Sequence, residues 1–300
     1  MIHPLCYKID RMIGARIIDD LLRLSVDKIV YKAQGRTLQE PDYTVAITTE
    51  FIPLLAQHFS VLGNAKIGGS FIHQRPKATF TMNGKQETRE LGDLLVLCRK
   101  TTHGCSIYNA ALFQLKMASP APYKMITNQG ELSQLYLYTD WPQFRLTNGK
   151  AYDIYPKTVS QGAQYMFVTP CRWVIYTHSM PQTTMRNCTS LSFGRFIYDF
   201  VRWQNGRSIA DEANKNSDEW SRLIWDILGG NANSCFRRNN VGLNQQQRNS
   251  TDYLNMLVNI ENNADNNGGN AGHDVPQLEA IDNQPVCSLL FIDIIEDDER

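Results

Sequence analysis

Two amphipathic patterns open the chain and predict helices. Apolar side chains recur at helical spacing from residue 11 to residue 30, and again from Val45 to Phe59 despite Pro53. Pro41 and Asp42 precede the second pattern, as residues that begin a helix often do. We expect each of these helices to pack one face on a hydrophobic core.

Patterns typical of strands follow the two helices. Residues 62–69 are rich in turn-forming residues, and residues 70–80 form a strand pattern that is interrupted at Pro76. Asn83 and Gly84 then predict a tight hairpin turn, because both residues tolerate a positive φ. The hairpin leads directly into the longest apolar runs of the chain.

The second half of the chain predicts further elements of the same fold. Residues 129–142 predict a helix that ends at its proline, residues 162–178 predict two strands, and the patterns over 191–203 and 217–228 predict two helices. Helices and strands together indicate an α/β fold, in which the later strands extend the same sheet. The last two helices are additions on the C-terminal side.

A change in composition divides the C-terminal part. Asn, Gln and Gly dominate residues 229–284, where only residues 253–260 carry an apolar pattern, so this part buries too little apolar surface to offset the entropy of ordering. We therefore predict an α/β domain over residues 1–228, a largely flexible insertion over 229–284, and a terminal segment over 285–300. That segment is a strand that returns to the sheet, followed by an acidic tail.

Composition and charge narrow the function classes only slightly. The chain has 300 residues, of which 42% are apolar, and its 30 basic and 30 acidic residues cancel. Any binding of nucleic acid must therefore use a local basic patch. The first residues lack the apolar core of a signal peptide, and no stretch is apolar enough to cross a bilayer, which predicts a soluble cytoplasmic protein without a membrane partner.

Polar groups at the ends of two core strands are the strongest chemical signal. Asp93 opens one apolar run, and Gln114 and Lys116 close the next one. Because side chains alternate along a strand, Gln114 and Lys116 share one face, while Phe113 and Leu115 share the other. An Asp on the neighbouring strand can then meet the amide and the ammonium at one place. Such a set suits a divalent cation and a phosphate.

With Glu50 on the upstream helix, the pattern Asp93…Gln114-x-Lys116 resembles the PD-(D/E)XK nuclease superfamily, which has the restriction-endonuclease-like fold. The resemblance covers about residues 45–140. It implies a restriction-endonuclease-like core, in which a central mixed β-sheet is flanked by helices. It also implies a Mg²⁺ cofactor, for which Mn²⁺ can substitute. It also implies catalytic roles for Asp93, Gln114, Lys116 and Glu50, and metal ligands from Asp93, Gln114, Glu50 and the main-chain carbonyl of Leu115.

Two positions depart from the family pattern. Gln114 stands where most members carry Asp or Glu, so the site loses one negative charge that would attract the ion. Gly92 replaces the proline that precedes the first Asp in many members, and glycine lets the backbone approach a ligand closely. Glu90 is unsuited to supply the missing carboxylate, because its position three residues before Asp93 faces the other side of an extended strand.

The resemblance implies a Mg-dependent nuclease that cleaves double-stranded DNA. Such an enzyme would suit bacterial genome defence, and it would need restraint by a protein partner or by homo-oligomerisation. A polar run beside the predicted site is expected to contact nucleic acid, and the alternative is that it forms an exposed strand edge. The run consists of His73, Gln74, Arg75 and Lys77.

Other interpretations remain open from the sequence. The chain could keep the nuclease fold without turnover and act as a nucleic-acid-binding or scaffold subunit, an alternative that Gln114 and the zero net charge favour. Cys98, His103 and Cys105 could bind zinc with a fourth ligand, although their spacing matches no zinc finger. Gln134 on the helix after Lys116 could help to hold the site, although helical glutamines are more often solvated. A small-molecule enzyme would need a phosphate loop or a catalytic triad, and the sequence shows neither.

Overall fold

A computed structural model describes residues 4–60, 64–72, 76–117, 128–157, 162–169, 172–176, 190–238, 249–259, 277–278 and 287–296. His73, Gln74 and Arg75 of the predicted nucleic-acid contact lie outside the described residues, as does much of the Asn-rich range 229–284.

Helices account for a large part of the described residues. The α-helices are α1 Pro4–Lys32, α2 Glu40–Val45, α3 Ile52–Ser60, α4 Gln129–Asp140, α5 Phe193–Phe200, α6 Glu219–Arg238 and α7 Ser250–Asn259. A π-helical segment, Ala46–Phe51, joins α2 to α3, and a 3₁₀ turn, Lys215–Ser217, precedes α6. The two predicted N-terminal helices therefore form, and the second is continuous from Glu40 to Ser60 as an α-helical, a π-helical and an α-helical segment.

The described strands belong to two sheets. They are β1 Ala65–Ile72, β2 Lys77–Met82, β3 Lys85–Glu90, β4 Leu94–Thr102, β5 Cys105–Met117, β6 Phe144–Leu146, β7 Ala151–Tyr152, β8 Ala163–Thr169, β9 Arg172–Tyr176, β10 Ser190–Ser192, β11 Arg207–Ile209, β12 Gln277–Leu278 and β13 Ser288–Glu296.

The larger sheet has mixed strand direction. Its order is β10-β9-β8-β5-β4-β13-β1-β12, and β11 pairs with the first part of β5. β4 runs antiparallel to β5, whereas β5 and β8 are parallel, as are β13 and β4. The predicted α/β fold with a central mixed sheet flanked by helices is confirmed.

The smaller sheet is antiparallel, with the order β3-β2-β6-β7. The predicted hairpin joins β2 to β3, and its turn residues Asn83 and Gly84 have φ values of 50° and 75°. The single interrupted strand expected over residues 70–80 is in fact two strands, because β1 belongs to the larger sheet and β2 to the smaller one.

Two hydrophobic cores lie on opposite faces of the larger sheet. One contains buried side chains of α1, α2, the π-helical segment, α3 and α5, together with Phe113 and Leu115 of β5. The other contains side chains of α4, α6, α7 and the smaller sheet, together with Ala110 and Leu112. The expected alternation of faces along β5 is therefore confirmed.

The turn expected near Gly68 and Gly69 is wrong, because both residues lie inside β1. A Cβ on Gly68 would lie 2.5 Å from the carbonyl oxygen of Leu257, and one on Gly69 would lie 2.4 Å from that of Leu289. Glycine is required here by the close approach of neighbouring backbone and not by a turn.

The C-terminal elements cover one face of the larger sheet and add an internal strand to it. α6 continues past the predicted boundary at residue 228 to Arg238, and α7 lies within the range 229–284. β13 returns to the sheet, as predicted for the terminal segment, between β1 and β4. No helix in the described part of the chain is both long enough and apolar enough to span a membrane.

Candidate active site

The candidate site lies where β5 extends beyond the end of β4. The last residue pair between these strands joins Leu94 to Phe113, whereas pairing with β8 continues on the other edge of β5 as far as Met117. The edge that β4 leaves uncovered belongs to residues 114–117. Its backbone groups need other partners, because buried N–H groups are almost always hydrogen-bonded.

Asp93 supplies the first of these partners. Its backbone N–H donates to the carbonyl of Phe113 at 2.7 Å, which continues the ladder by one step. Its Oδ2 accepts hydrogen bonds from the N–H of Leu115 at 2.6 Å and from Nε2 of Gln114 at 2.5 Å. The predicted meeting of Asp93 with Gln114 therefore occurs, at a place where Asp93 is only 2% exposed and Gln114 is fully buried.

The orientation of the Gln114 amide follows from its neighbours. A carboxylate only accepts hydrogen bonds, so the NH₂ group of Gln114 must face Asp93 and its Oε1 must face away. That Oε1 accepts from Nε2 of Gln134 at 2.5 Å, and the same Nε2 donates to the carbonyl of Glu90 at 3.0 Å. Gln134 is thus a buried member of the site, contrary to the expectation that a helical glutamine is solvated.

α4 packs on one face of the larger sheet and covers the site. Asn128 caps the helix by accepting from the N–H of Glu131 at 2.8 Å. One helical turn after Gln134, the hydroxyl of Tyr138 donates to the carbonyl of Leu91 at 2.5 Å. This contact holds the segment before Asp93 against the helix.

The surroundings of this network are apolar. Burial raises the pKa of Tyr138, and the nearby negative charges, including Asp93, raise it further. Tyr165 lies beside Gln114 in the β5–β8 register, and burial followed by the charges of Glu131 and Asp93 raises its pKa as well. Hydrogen bonds and charges act strongly in such a water-poor environment.

Lys116 meets a second carboxylate, which the sequence analysis did not select. Glu40, the first residue of α2, places Oε2 3.6 Å from the ammonium of Lys116 and accepts the N–H of Met117 through Oε1 at 3.1 Å. The Lys116 side chain is 13% exposed and that of Glu40 is 25% exposed, so this pair is more accessible than Asp93. Asp93 and Glu40 thus accept hydrogen bonds from two N–H groups on the same edge of β5.

Glu50 lies against α1. Its carboxylate is 2.5 Å from the ammonium of Lys32 and 3.4 Å from that of Lys28, which joins the π-helical segment to the first helix. Two lysines already neutralise this carboxylate, whereas Glu40 contacts the predicted catalytic lysine. The contact between Glu40 and Lys116 could not be predicted from residue spacing in the sequence, because it depends on how α2 packs against the end of β5.

Two other sequence hypotheses concern the hairpins. Lys77 is exposed at the start of β2, in register with Glu90 of β3. Cys98 is buried in β4, and Cys105 pairs with Thr102 at the far end of the hairpin, so about 13 Å of strand separates the two cysteines. A zinc ion shared by Cys98 and Cys105 is therefore excluded, because zinc–sulfur bonds are about 2.3 Å long.

Gly92 also has a local explanation. A Cβ at this position would lie 2.6 Å from the side chain of Leu112, so glycine lets the chain cross that leucine before β4 begins. The close approach that the sequence suggested is to the core and not to a ligand.

The carboxylate and carbonyl oxygens at the uncovered edge fit a hard divalent cation. The N–H and the carbonyl of one strand residue point to the same edge, so the carbonyl of Leu115 shares its edge with Asp93 and Glu40. Mg²⁺ commonly binds one or two carboxylates and completes its shell with waters. Across the described parts of the chain, no group of three or more His, Cys, Asp or Glu side chains could hold a metal ion. A site here would therefore depend on two carboxylates, a main-chain carbonyl and water.

No family model, no curated protein and no solved structure matches the chain.

Proposed function

We propose that this protein is a Mg²⁺-dependent phosphodiesterase that cleaves double-stranded DNA. The observation that carries the proposal is the meeting of Asp93 with Gln114 at the end of β5, two residues before Lys116 and its partner Glu40. Two carboxylates, a carbonyl and an ammonium on one strand edge suit metal-assisted attack on a phosphate.

Each side chain at the site would have its own role in catalysis. Asp93 and the carbonyl of Leu115 would hold the ion directly, because both belong to the same part of the edge. The N–H groups that Asp93 and Glu40 accept are two residues apart, or about 7 Å along the strand, so Glu40 would act through a water or a second ion. Lys116 would orient the attacking water and stabilise the charge that builds on the phosphate. A bound divalent ion supplies a water of lowered pKa.

Gln114 would position Asp93 and would not bind the ion. Its NH₂ group faces the carboxylate and its oxygen already accepts from Gln134. This assignment replaces the ligand role that the family resemblance implies for residue 114. It leaves one fewer negative charge at the site, so we expect metal binding to be weak.

A second candidate function has its own support. Oδ2 of Asp93 is occupied by two donors in a place that is 2% exposed, which is the geometry expected of a structural carboxylate. A protein with this site could bind nucleic acid as a scaffold without cleaving it.

Plasmid nicking with Mg²⁺ or Mn²⁺, with EDTA as the blank, tests the proposal. We expect Lys116→Ala and Asp93→Asn to lower the cleavage rate by about 100-fold or more, with little change in DNA binding, because both groups act in the transition state. Glu40→Gln should also lower the rate, and comparison with Glu50→Gln decides which helix supplies the acidic group.

Lys100→Ala is the matched control, because Lys100 forms a 2.7 Å ion pair with Glu296 near the other end of β4. Its cleavage rate should equal that of the wild type. DNA binding by the wild type without cleavage under either metal would support the scaffold function, and absence of both binding and cleavage would rule out both candidates.

A further inference from the structure

Exposed apolar side chains concentrate on one helix. Of the eight large apolar residues that are exposed in the described part of the chain, five belong to α1. They are Met12 (61% exposed), Ile13 (56%), Leu24 (50%), Val30 (43%) and Tyr31 (86%). A concentration of this kind on one element marks an interaction surface more often than a scatter of single residues does.

These residues share one side of α1. The opposite side is buried in the core through Ile18, Leu22, Val26 and Ile29. At about 100° per residue, the five exposed apolar residues fall within an arc of about 120°. Four charged residues share that arc, namely Arg16, Asp20, Arg23 and Asp27. We call these nine residues the outer face of α1.

The apolar and charged residues of the outer face follow a regular order along α1. Four of its five apolar residues stand at the two ends, Leu24 lies between Arg23 and Asp27, and the four charges alternate as basic, acidic, basic, acidic. Reversing the direction of the helix therefore exchanges positive for negative charges at each position. A surface with this property is complementary to itself when two copies meet head to tail.

The match extends to eight of the nine residues of the outer face. Two copies of α1 can run antiparallel about a two-fold axis that passes between Leu21 and Leu22. Each residue then faces the residue of the other copy whose number is 43 minus its own. Arg16 then faces Asp27, and Asp20 faces Arg23, each from the other copy.

The same alignment brings the apolar ends together. Met12 faces Tyr31, and Ile13 faces Val30, at both ends of the pair. A parallel pair would instead place each charge opposite its own copy, which is unfavourable. The antiparallel arrangement therefore satisfies the four charges and the apolar residues at both ends, whereas Leu24 would face Asp19.

We propose that this protein forms a homodimer through an antiparallel pair of α1 helices. The interface is two-fold symmetric, so each contact between two different residues occurs twice. Within one chain, Asp20 and Arg23 already lie 3.4 Å apart, with side chains more than half exposed. Dimerisation lets both groups take partners from the second copy while the apolar ends are removed from water.

Charge reversal tests both the dimer and its direction. Sedimentation velocity over a wide range of protein concentrations should show a monomer–dimer equilibrium for the wild type. Arg16→Asp places two acidic groups opposite each other at both copies of the contact, so we expect the dissociation constant to rise at least about tenfold. Asp27→Arg should have a similar effect.

The double variant Arg16→Asp/Asp27→Arg restores opposite charges in the antiparallel pair, and its dissociation constant should return close to that of the wild type. Lys85→Asp on β3 is the control for a reversed exposed charge and should leave the dimer unchanged. Circular dichroism melts check that each variant folds. A monomeric wild type, a dimer insensitive to the single reversals, or a double variant that stays dissociated would each overturn the proposal.

Discussion

At the scale of single residues, the site depends on the amide group of Gln114. Gln114 can donate to Asp93 and accept from Gln134 at the same time, because an amide carries both kinds of group. A carboxylate at this position could accept from Gln134 but would repel Asp93. Glutamine at this position therefore satisfies a buried network without requiring an ion.

Gln114→Glu should make the stability of the protein depend on metal. In EDTA at neutral pH, we expect the free energy of unfolding to fall by about 1–3 kcal/mol, because a buried hydrogen bond is replaced by two facing carboxylates. Adding Mg²⁺ should raise the melting temperature of the variant more than that of the wild type. Differential scanning calorimetry with and without Mg²⁺ measures both effects.

The same variant has a defined pH dependence. Repulsion between the two carboxylates raises a carboxyl pKa in the folded state, so the loss of stability is present above that raised pKa and shrinks as the pH falls through it. Gln114→Ala is the control, because it removes the amide without adding a charge, and its melting temperature should rise no more with Mg²⁺ than that of the wild type. Equal melting of Gln114→Glu and the wild type in EDTA would contradict the network described for Asp93.

At the scale of elements, the sequence predicted strands better than it predicted their partners. Alternation along β5 correctly placed Gln114 on one face and Phe113 on the other, because the two-residue period is a local property. The contact between Glu40 and Lys116 was missed, because it arises where β5 outruns β4 and α2 packs on the exposed edge. Packing between distant segments leaves no periodic signal in the chain.

The misassigned glycines in β1 show the same limit. Gly69 indicates a turn by composition, yet a Cβ there would lie 2.3 Å from Ile52 and 2.4 Å from the carbonyl of Leu289. Only the assembled sheet shows that these neighbours exist.

Gly69→Ala should therefore lower the free energy of unfolding by about 3 kcal/mol, because the added methyl group meets backbone that cannot move away. Gly130→Ala is the matched change in α4, where the nearest atom to a new Cβ is 3.4 Å away and alanine favours the helix. Urea denaturation should show Gly130→Ala to be at least as stable as the wild type. Equal stability of the two variants would mean that β1 does not approach β13 this closely.

At the scale of the whole molecule, the last described strand is inserted between two earlier strands of the larger sheet. β13 pairs with β4 on one side and with β1 on the other, so it stands in the centre of the sheet. The apolar run predicted a returning strand, but pattern alone does not say which strands it separates. Asp293 fixes the register by forming a bidentate ion pair with Arg99, its neighbour on β4, at 2.8 and 2.7 Å.

Deleting residues 287–300 should therefore prevent folding of the whole domain. The deletion exposes the facing edges of β1 and β4 and removes Leu289, Leu290 and Phe291, which are fully buried. We expect the truncated chain to lose cooperative thermal unfolding and to aggregate, because both new edges present unpaired backbone groups. Deleting only residues 297–300 leaves β13 in place and serves as the control. A synthetic peptide spanning residues 287–296 should partly restore the transition by filling the gap. A cooperative transition of the truncated chain at the wild-type temperature would show that the central position of β13 is not needed for the fold.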